Sequence, residues 1–131
     1  MAHAIDGYDG ACKDIHGHSY ELHISISSFH DDEGFIPAPG FVTDFKEIKK
    51  LVKRIIVDYF DHKMILSNSF LAKNPSFSSQ ENLITWNIEP TAENILIYIR
   101  KLLQQKLPAE LRLGKIKLYE TKDSYAEWIK E

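Results

Sequence analysis

Two histidines separated by a single residue, His16-Gly17-His18, are the leading candidates for chemistry in this chain. On an extended strand, residues two apart point to the same side, so both imidazoles can reach one metal ion, and Gly17 leaves the opposite face uncrowded. Histidine suits zinc, and a catalytic zinc site commonly takes three protein ligands while leaving a position open. His3 is the third candidate, because the glycine-containing loop from Asp6 to Ala11 can fold the N-terminal segment back beside the His16 strand. Taken alone, H-x-H is more often a polar decoration of a surface or core.

Cys12 precedes His16 by four positions, and a thiol close to a cation loses its proton more readily, which would make it a general base or nucleophile. The alternative is a small buried hydrophobe. Asp61-His62 pairs a carboxylate with an imidazole, suited to proton transfer or equally to a polar turn at a helix end. Glu120 continues the row Ile116, Leu118 and should point a carboxylate inward, where it must find donors. A carboxylate accepts two parallel N–H groups, the edge that a guanidine-like ring presents; a strand-end glutamate turned to solvent is the competing reading.

These residues need elements to hold them. From His16 to Ile26 the even positions are His16, His18, Tyr20, Leu22, Ile24 and Ile26, which predicts one strand with a largely apolar face. The segment His30 to Gly40 carries turn chemistry, and Phe41 to Thr43 reads as a short returning strand. Asp44 with Glu47 three positions on predicts a capping box, followed by a helix whose stripe runs from Phe45 to Phe60. Asn68 to Asn82 reads as a loop and Leu83 to Ile88 as a strand. A second helix should start at Pro90-Thr91 and stop before Pro108. Strands at Lys115 to Thr121 and Tyr125 to Ile129 close the chain. The pattern predicts an α+β domain with both helices on one sheet face.

With 131 residues, 44% of them hydrophobic, the chain is sized for a single domain spanning 1–131. A net charge of −3 without a polybasic block argues against a nucleic-acid partner, and no apolar run approaches the ~18 residues of a membrane span. The single cysteine, Cys12, cannot form an internal disulfide, and no signal-peptide pattern follows Met1, so a cytoplasmic location is expected.

His3, Cys12 to His18, Phe41-Val42-Thr43-Asp44-Phe45, Asp61-His62, Pro90-Thr91-Ala92-Glu93-Asn94 and Tyr119-Glu120-Thr121 together resemble the 6-pyruvoyl-tetrahydropterin synthase family in order and approximate spacing. The resemblance implies the tunnelling fold, a four-stranded antiparallel sheet with two helices on one face, whose sheets join between subunits into a barrel. It implies a homo-oligomer, a hexamer of two stacked trimers, with active sites between subunits. By the same likeness His3, His16 and His18 hold Zn2+, while Cys12, Asp61 and His62 form the proton-transfer group. Glu120 anchors the pterin ring, and Thr121, Thr91 and Glu93 match substrate-binding positions.

Three residues separate Cys12 from His16, the spacing of the 6-carboxytetrahydropterin synthases of queuosine-precursor biosynthesis. The implied activity is a zinc-dependent carbon–carbon lyase converting 7,8-dihydroneopterin triphosphate to 6-carboxy-5,6,7,8-tetrahydropterin, acetaldehyde and triphosphate. Pyruvoyl-type triphosphate elimination is the alternative within the family, and a non-catalytic metal- or pterin-binding oligomer the alternative outside it. Only Met1 and Ala2 precede His3 where relatives carry a full strand, so either the true start lies upstream of Met1 or the first strand is shortened. The segment Ser67 to Trp86 is longer than in compact bacterial relatives.

Overall fold

Leucine and isoleucine positions on the last third of the chain build the floor on which everything else rests. The computed structural model describes residues 1–29 and 34–131. Strand β6 (Leu111–Thr121) lies between β3 (Glu21–Ser28) and β7 (Ser124–Ile129) in an antiparallel sheet. Its buried side chains are Leu111 and Leu113 at one end and Ile116 and Leu118 at the other, so the inward phase changes between them. The cause is a bulge: Ser25 pairs with Lys115 and Ile26 with Leu113, which leaves Gly114 as the extra residue. Past the bulge, Glu120 follows Ile116 and Leu118 at a second irregularity, where Tyr119 pairs with Tyr125 and Thr121 with Ser124, and its carboxylate meets the Tyr20 hydroxyl.

Two helices cover that face. Asp44 caps α1 by accepting from the Lys46 backbone N–H at 2.8 Å. The helix runs as Phe45–Val52, passes through a π-helical stretch Lys53–Val57 and closes at Asp58–Phe60. Thr91 caps α3 (Ala92–Lys106), its hydroxyl accepting from the Asn94 N–H at 3.2 Å. Ile56 and Phe60 from α1 and Ile95, Ile99 and Leu103 from α3 pack with Leu113, Ile116, Leu118 and Ala126 into one core. The expectation of two helices on one sheet face therefore holds.

A second sheet departs from expectation. Strands β1 (Ala2–His3), β2 (His16–Gly17), β4 (Met64–Ser67) and β5 (Leu83–Trp86) form it in the order β2-β1-β4-β5. β1 pairs antiparallel with β2 but parallel with β4, which is parallel to β5. The four-stranded sheet of this chain is thus mixed, and its antiparallel sheet has three strands. All four residues of β4 are buried because Ile65 enters the main core while Met64 and Leu66 pack with Ala4 and Phe70 on the other side. A strand covered on both faces shows no alternation, which is why its sequence gives no strand signal.

Other elements also move. The strand expected from His16 to Ile26 is two strands in two sheets, separated at 18–20. Phe41 to Thr43 forms bends rather than a strand: Gly40 has φ +86°, and Phe41 and Val42 are exposed without a ladder partner among the described residues. The polar segment Asn68 to Asn82 contains helix α2 (Asn68–Lys73) and a 3-10 turn at Pro75–Ser79. Ser67 starts α2 by accepting from the Phe70 N–H at 3.1 Å, and buried Phe70 holds it to β4. Of the turn-rich segment His30 to Gly40, positions 30–33 lie outside the described residues. No helix among the described residues is long and apolar enough to cross a membrane.

Candidate metal and ligand site

Antiparallel pairing of β1 with β2 sets His3 directly across from His16. His18 follows just beyond β2, where the backbone exchanges with Met1: the His18 N–H donates to the Met1 carbonyl at 3.1 Å. Three imidazoles from two chain segments thereby meet, with ring centroids 4.5 Å apart for His3 and His16, 5.3 Å for His3 and His18, and 4.9 Å for His16 and His18.

The hydrogen bonds behind the rings decide what they present in front. His3 Nδ1 donates to the Pro90 carbonyl at 2.6 Å, and His16 Nδ1 donates to the Asp14 carbonyl at 2.8 Å. In those tautomers each Nε2 carries a lone pair, and the two Nε2 atoms lie 3.0 Å apart. Facing lone pairs repel unless a cation receives both. His18 Nε2 is buried and has no hydrogen-bond partner among the described residues. Each histidine offers one ligand atom, and all three lie within 4.8 Å of one another. Tetrahedral zinc with Zn–N bonds near 2.05 Å would separate its nitrogens by about 3.3 Å, inside that spread. The donor set fits zinc.

Burial lowers the His3 pKa below the usual 6.5; the Pro90 carbonyl and Glu120 oppose this, while His16 and His18 add to it. A neutral, deeply buried imidazole is the form a metal needs.

Beside the histidines, Glu120 Oε1 lies 3.7 Å from His3 Nε2. The Tyr20 hydroxyl donates to that oxygen at 3.3 Å. Burial, then the Glu120 charge, then Cys12 raise the Tyr20 pKa well above its ordinary value, so the phenol keeps its proton. A cavity of about 500 Å³ opens next to this cluster. His18, Tyr20, Asp61 and His62 line its polar side, and Leu22, Phe60 and Ile99 are among its apolar lining. His62 Nδ1 is 3.0 Å from Asp61 Oδ2, and His62 adopts φ 58°, an uncommon backbone for a residue with a side chain. It is 91% exposed, so this pair is reachable by a ligand in the cavity.

The chain brings His3, His16, His18 and Glu120 together and places Asp61-His62 on the adjoining cavity. Cys12 sits apart from that lining, exposed on the turn Ala11–Lys13, its carbonyl accepting from the Ile5 N–H at 2.8 Å. The Thr91 hydroxyl is engaged as a helix cap. Thr121 Oγ1 accepts from the Asp123 N–H in the β6–β7 turn, and Glu93 borders a different cavity with Arg100 and Trp128. None of these four lines the cavity beside the histidines.

Two participants escaped the sequence reading. Pro90 acts through its carbonyl, which no side-chain pattern reveals. Tyr20 stands in the even row with His16 and His18, and that placement was the available signal; it read as an apolar neighbour.

A family model described as 6-pyruvoyl tetrahydropterin synthase matches residues 1–131. The 6-carboxy-5,6,7,8-tetrahydropterin synthase of Haemophilus influenzae is 34% identical over 132 residues, covering 98% of this chain and 91% of that protein. Among solved structures, an uncharacterized protein from Wolinella succinogenes superposes with a TM-score of 0.78 at 18% identity, covering 99% of this chain and 92% of that one. The 6-pyruvoyl tetrahydropterin synthase of Plasmodium vivax gives 0.67 at 19% identity, covering 97% and 87%. At those identities the two structures speak for the fold alone.

Proposed function

Because the chain belongs to the 6-pyruvoyl tetrahydropterin synthase family and is an enzyme of it, we propose that it converts 7,8-dihydroneopterin triphosphate to 6-carboxy-5,6,7,8-tetrahydropterin, acetaldehyde and triphosphate, with zinc as cofactor. The observation that carries this reading is the convergence of the His3, His16 and His18 nitrogens beside the inward carboxylate of Glu120. Bound zinc would supply Lewis acidity toward the substrate's side-chain hydroxyls. His3, His16 and His18 would hold it with three neutral nitrogens that add no negative charge of their own.

Glu120 reads the 2-amino and ring N–H groups of the pterin with two acceptor oxygens. Asp61 orients His62 through the contact of its Oδ2 with Nδ1 at 3.0 Å, so His62 can take or return a proton at the substrate side chain. Cys12, exposed four residues ahead of His16, is the second proton carrier. Thr91, Glu93 and Thr121, which do not face this cavity, serve substrate binding, Thr91 and Glu93 across a subunit boundary. The assembly is a homo-oligomer, a hexamer in which antiparallel sheets join into a barrel. Supporting this, β3 and β7 end the three-stranded sheet as edges, and an unpaired edge invites pairing with another chain. With Cys12 as its one cysteine, the protein suits a reducing cytoplasm.

Incubating the zinc-loaded protein with 7,8-dihydroneopterin triphosphate and identifying the products tests the reading. Acetaldehyde with 6-carboxytetrahydropterin is expected. A pyruvoyl pterin would assign the other activity of the family, and unchanged substrate would leave a binding protein.

A further inference from the structure

Tyr20 belongs to no role assigned so far, yet it touches both halves of the site. Its ring meets His18 edge-on with centroids 5.4 Å apart and His3 at 6.0 Å. Its hydroxyl lies 3.4 Å from His3 Nδ1, 3.3 Å from His3 Nε2 and 3.3 Å from Glu120 Oε1. The first of these cannot be a useful acceptor, because the Nδ1 hydrogen is committed to the Pro90 carbonyl at 2.6 Å. The second faces His16 Nε2 at 3.0 Å, the direction in which a cation is held. Only the carboxylate offers the phenol an uncommitted, charged acceptor.

That bond matters because Glu120 has two ways to satisfy itself. Its Oε1 stands 3.7 Å from His3 Nε2, close enough for a small rotation to carry it toward a cation held by the three histidines. A carboxylate drawn to the metal would no longer present two coplanar oxygens to a ring edge. We propose that Tyr20 is a positioning residue: its hydroxyl fixes Glu120 Oε1 by a hydrogen bond and so keeps the carboxylate aimed at the ligand instead of free to turn onto the cation. This rests on the pterin reading of the site. The tyrosine acts through Glu120 rather than on the reacting atoms.

Tyr20→Phe removes one oxygen and leaves the ring, so packing against His3 and His18 persists. Neopterin, followed by its own fluorescence, serves as probe, titrated with zinc-loaded full-length protein alongside Tyr20→Phe, Glu120→Gln and the double variant; zinc content is measured on each preparation. Tyr20→Phe should retain zinc and weaken neopterin binding about tenfold, the scale of one charge-assisted hydrogen bond. In the Glu120→Gln background the same change should add less than about twofold, since the group it positions has already been altered. Unchanged affinity in Tyr20→Phe would overturn the proposal, as would an equal loss in both backgrounds, which marks a general structural effect. Zinc loss on Tyr20→Phe would overturn it by assigning the hydroxyl to the metal cluster. A wild-type protein that binds no neopterin would refute the pterin reading itself, and this inference with it.

Discussion

Replacing Glu89 with alanine removes a carboxylate that ties three segments together. Its Oε2 accepts from the Asp6 backbone N–H at 2.8 Å, and its Oε1 accepts from the Ser69 hydroxyl at 3.0 Å. The Asp6 side chain in turn receives Lys73 of α2 at 2.9 and 3.1 Å. The next residue, Pro90, supplies the carbonyl that orients His3. The bond to Asp6 is charge-assisted and half-buried, worth about 1.5 kcal/mol at the low end of its class, and the exposed Ser69 bond adds roughly 0.5 kcal/mol. A loss of about 2 kcal/mol follows. With a urea dependence near 1.5 kcal/mol per molar for a small domain, the unfolding midpoint should fall by roughly 1.3 M. Urea titration of wild type, Glu89→Ala and Glu89→Gln at one fixed protein concentration measures this, the concentration being held because association shifts apparent stability. Glutamine can keep its oxygen on Asp6 and donate its amide to Ser69, so it should lose no more than about a third of that midpoint shift. A Glu89→Ala midpoint within about 0.3 M of wild type would show that the clamp holds nothing, and a glutamine variant as weak as alanine would refute the account in which two hydrogen bonds carry the stabilisation.

The proposed zinc ligands predict one metal per chain in the purified wild type and little in His16→Ala/His18→Ala by metal analysis; equal zinc in both would refute the ligand set. Cys12→Ala should keep zinc and neopterin affinity while kcat for acetaldehyde release drops by ~10²–10⁴-fold. Zinc loss in that variant would make the thiol a ligand, and full activity would remove it from the chemistry. His3 has its folded pKa lowered below 6.5, so the unfolded chain takes up the proton first as pH falls. Metal-free protein should therefore keep His3's full contribution above pH 6.5 and lose stability below it, levelling off under the folded pKa. Urea midpoints at pH 7.5 and 5.5 measure the slope, and His3→Gln should flatten it.

The parts of this site that speak through side-chain spacing were legible in the sequence. His16 and His18 share a face because the period of a strand is two, and Glu120 announced itself by following Ile116 and Leu118 in an apolar row. The two long helices were readable from their stripes and from Asp44 and Thr91 as caps. What stayed hidden was decided at a distance. β4 is buried on both faces, so Met64 to Ser67 offers no alternation, and its parallel pairing with β1 and β5 depends on residues far along the chain. The break between His18 and Glu21 leaves the even-position pattern intact while moving the backbone from one sheet to another, a change that periodicity cannot register. Helix α2 forms in a polar stretch because Ser67 caps it locally and Phe70 anchors it against β4, and the second of these is a tertiary fact.

The extra residue at Gly114 gives β6 two independent reading frames. Leu111 and Leu113 obey one and Ile116, Leu118 and Glu120 obey the other, with the change absorbed where Ser25 and Ile26 face Lys115 and Leu113. A side chain at position 114 would find only ordinary contact, with the Ser25 carbonyl 3.5 Å away, so the position constrains chain length more than residue type. The end of the strand that packs the core and the end that points a carboxylate at the site are thereby uncoupled in sequence. Substitutions can drift through the first without rotating the second out of place, whereas the loss of one residue between them would turn Glu120 to the opposite side of the sheet.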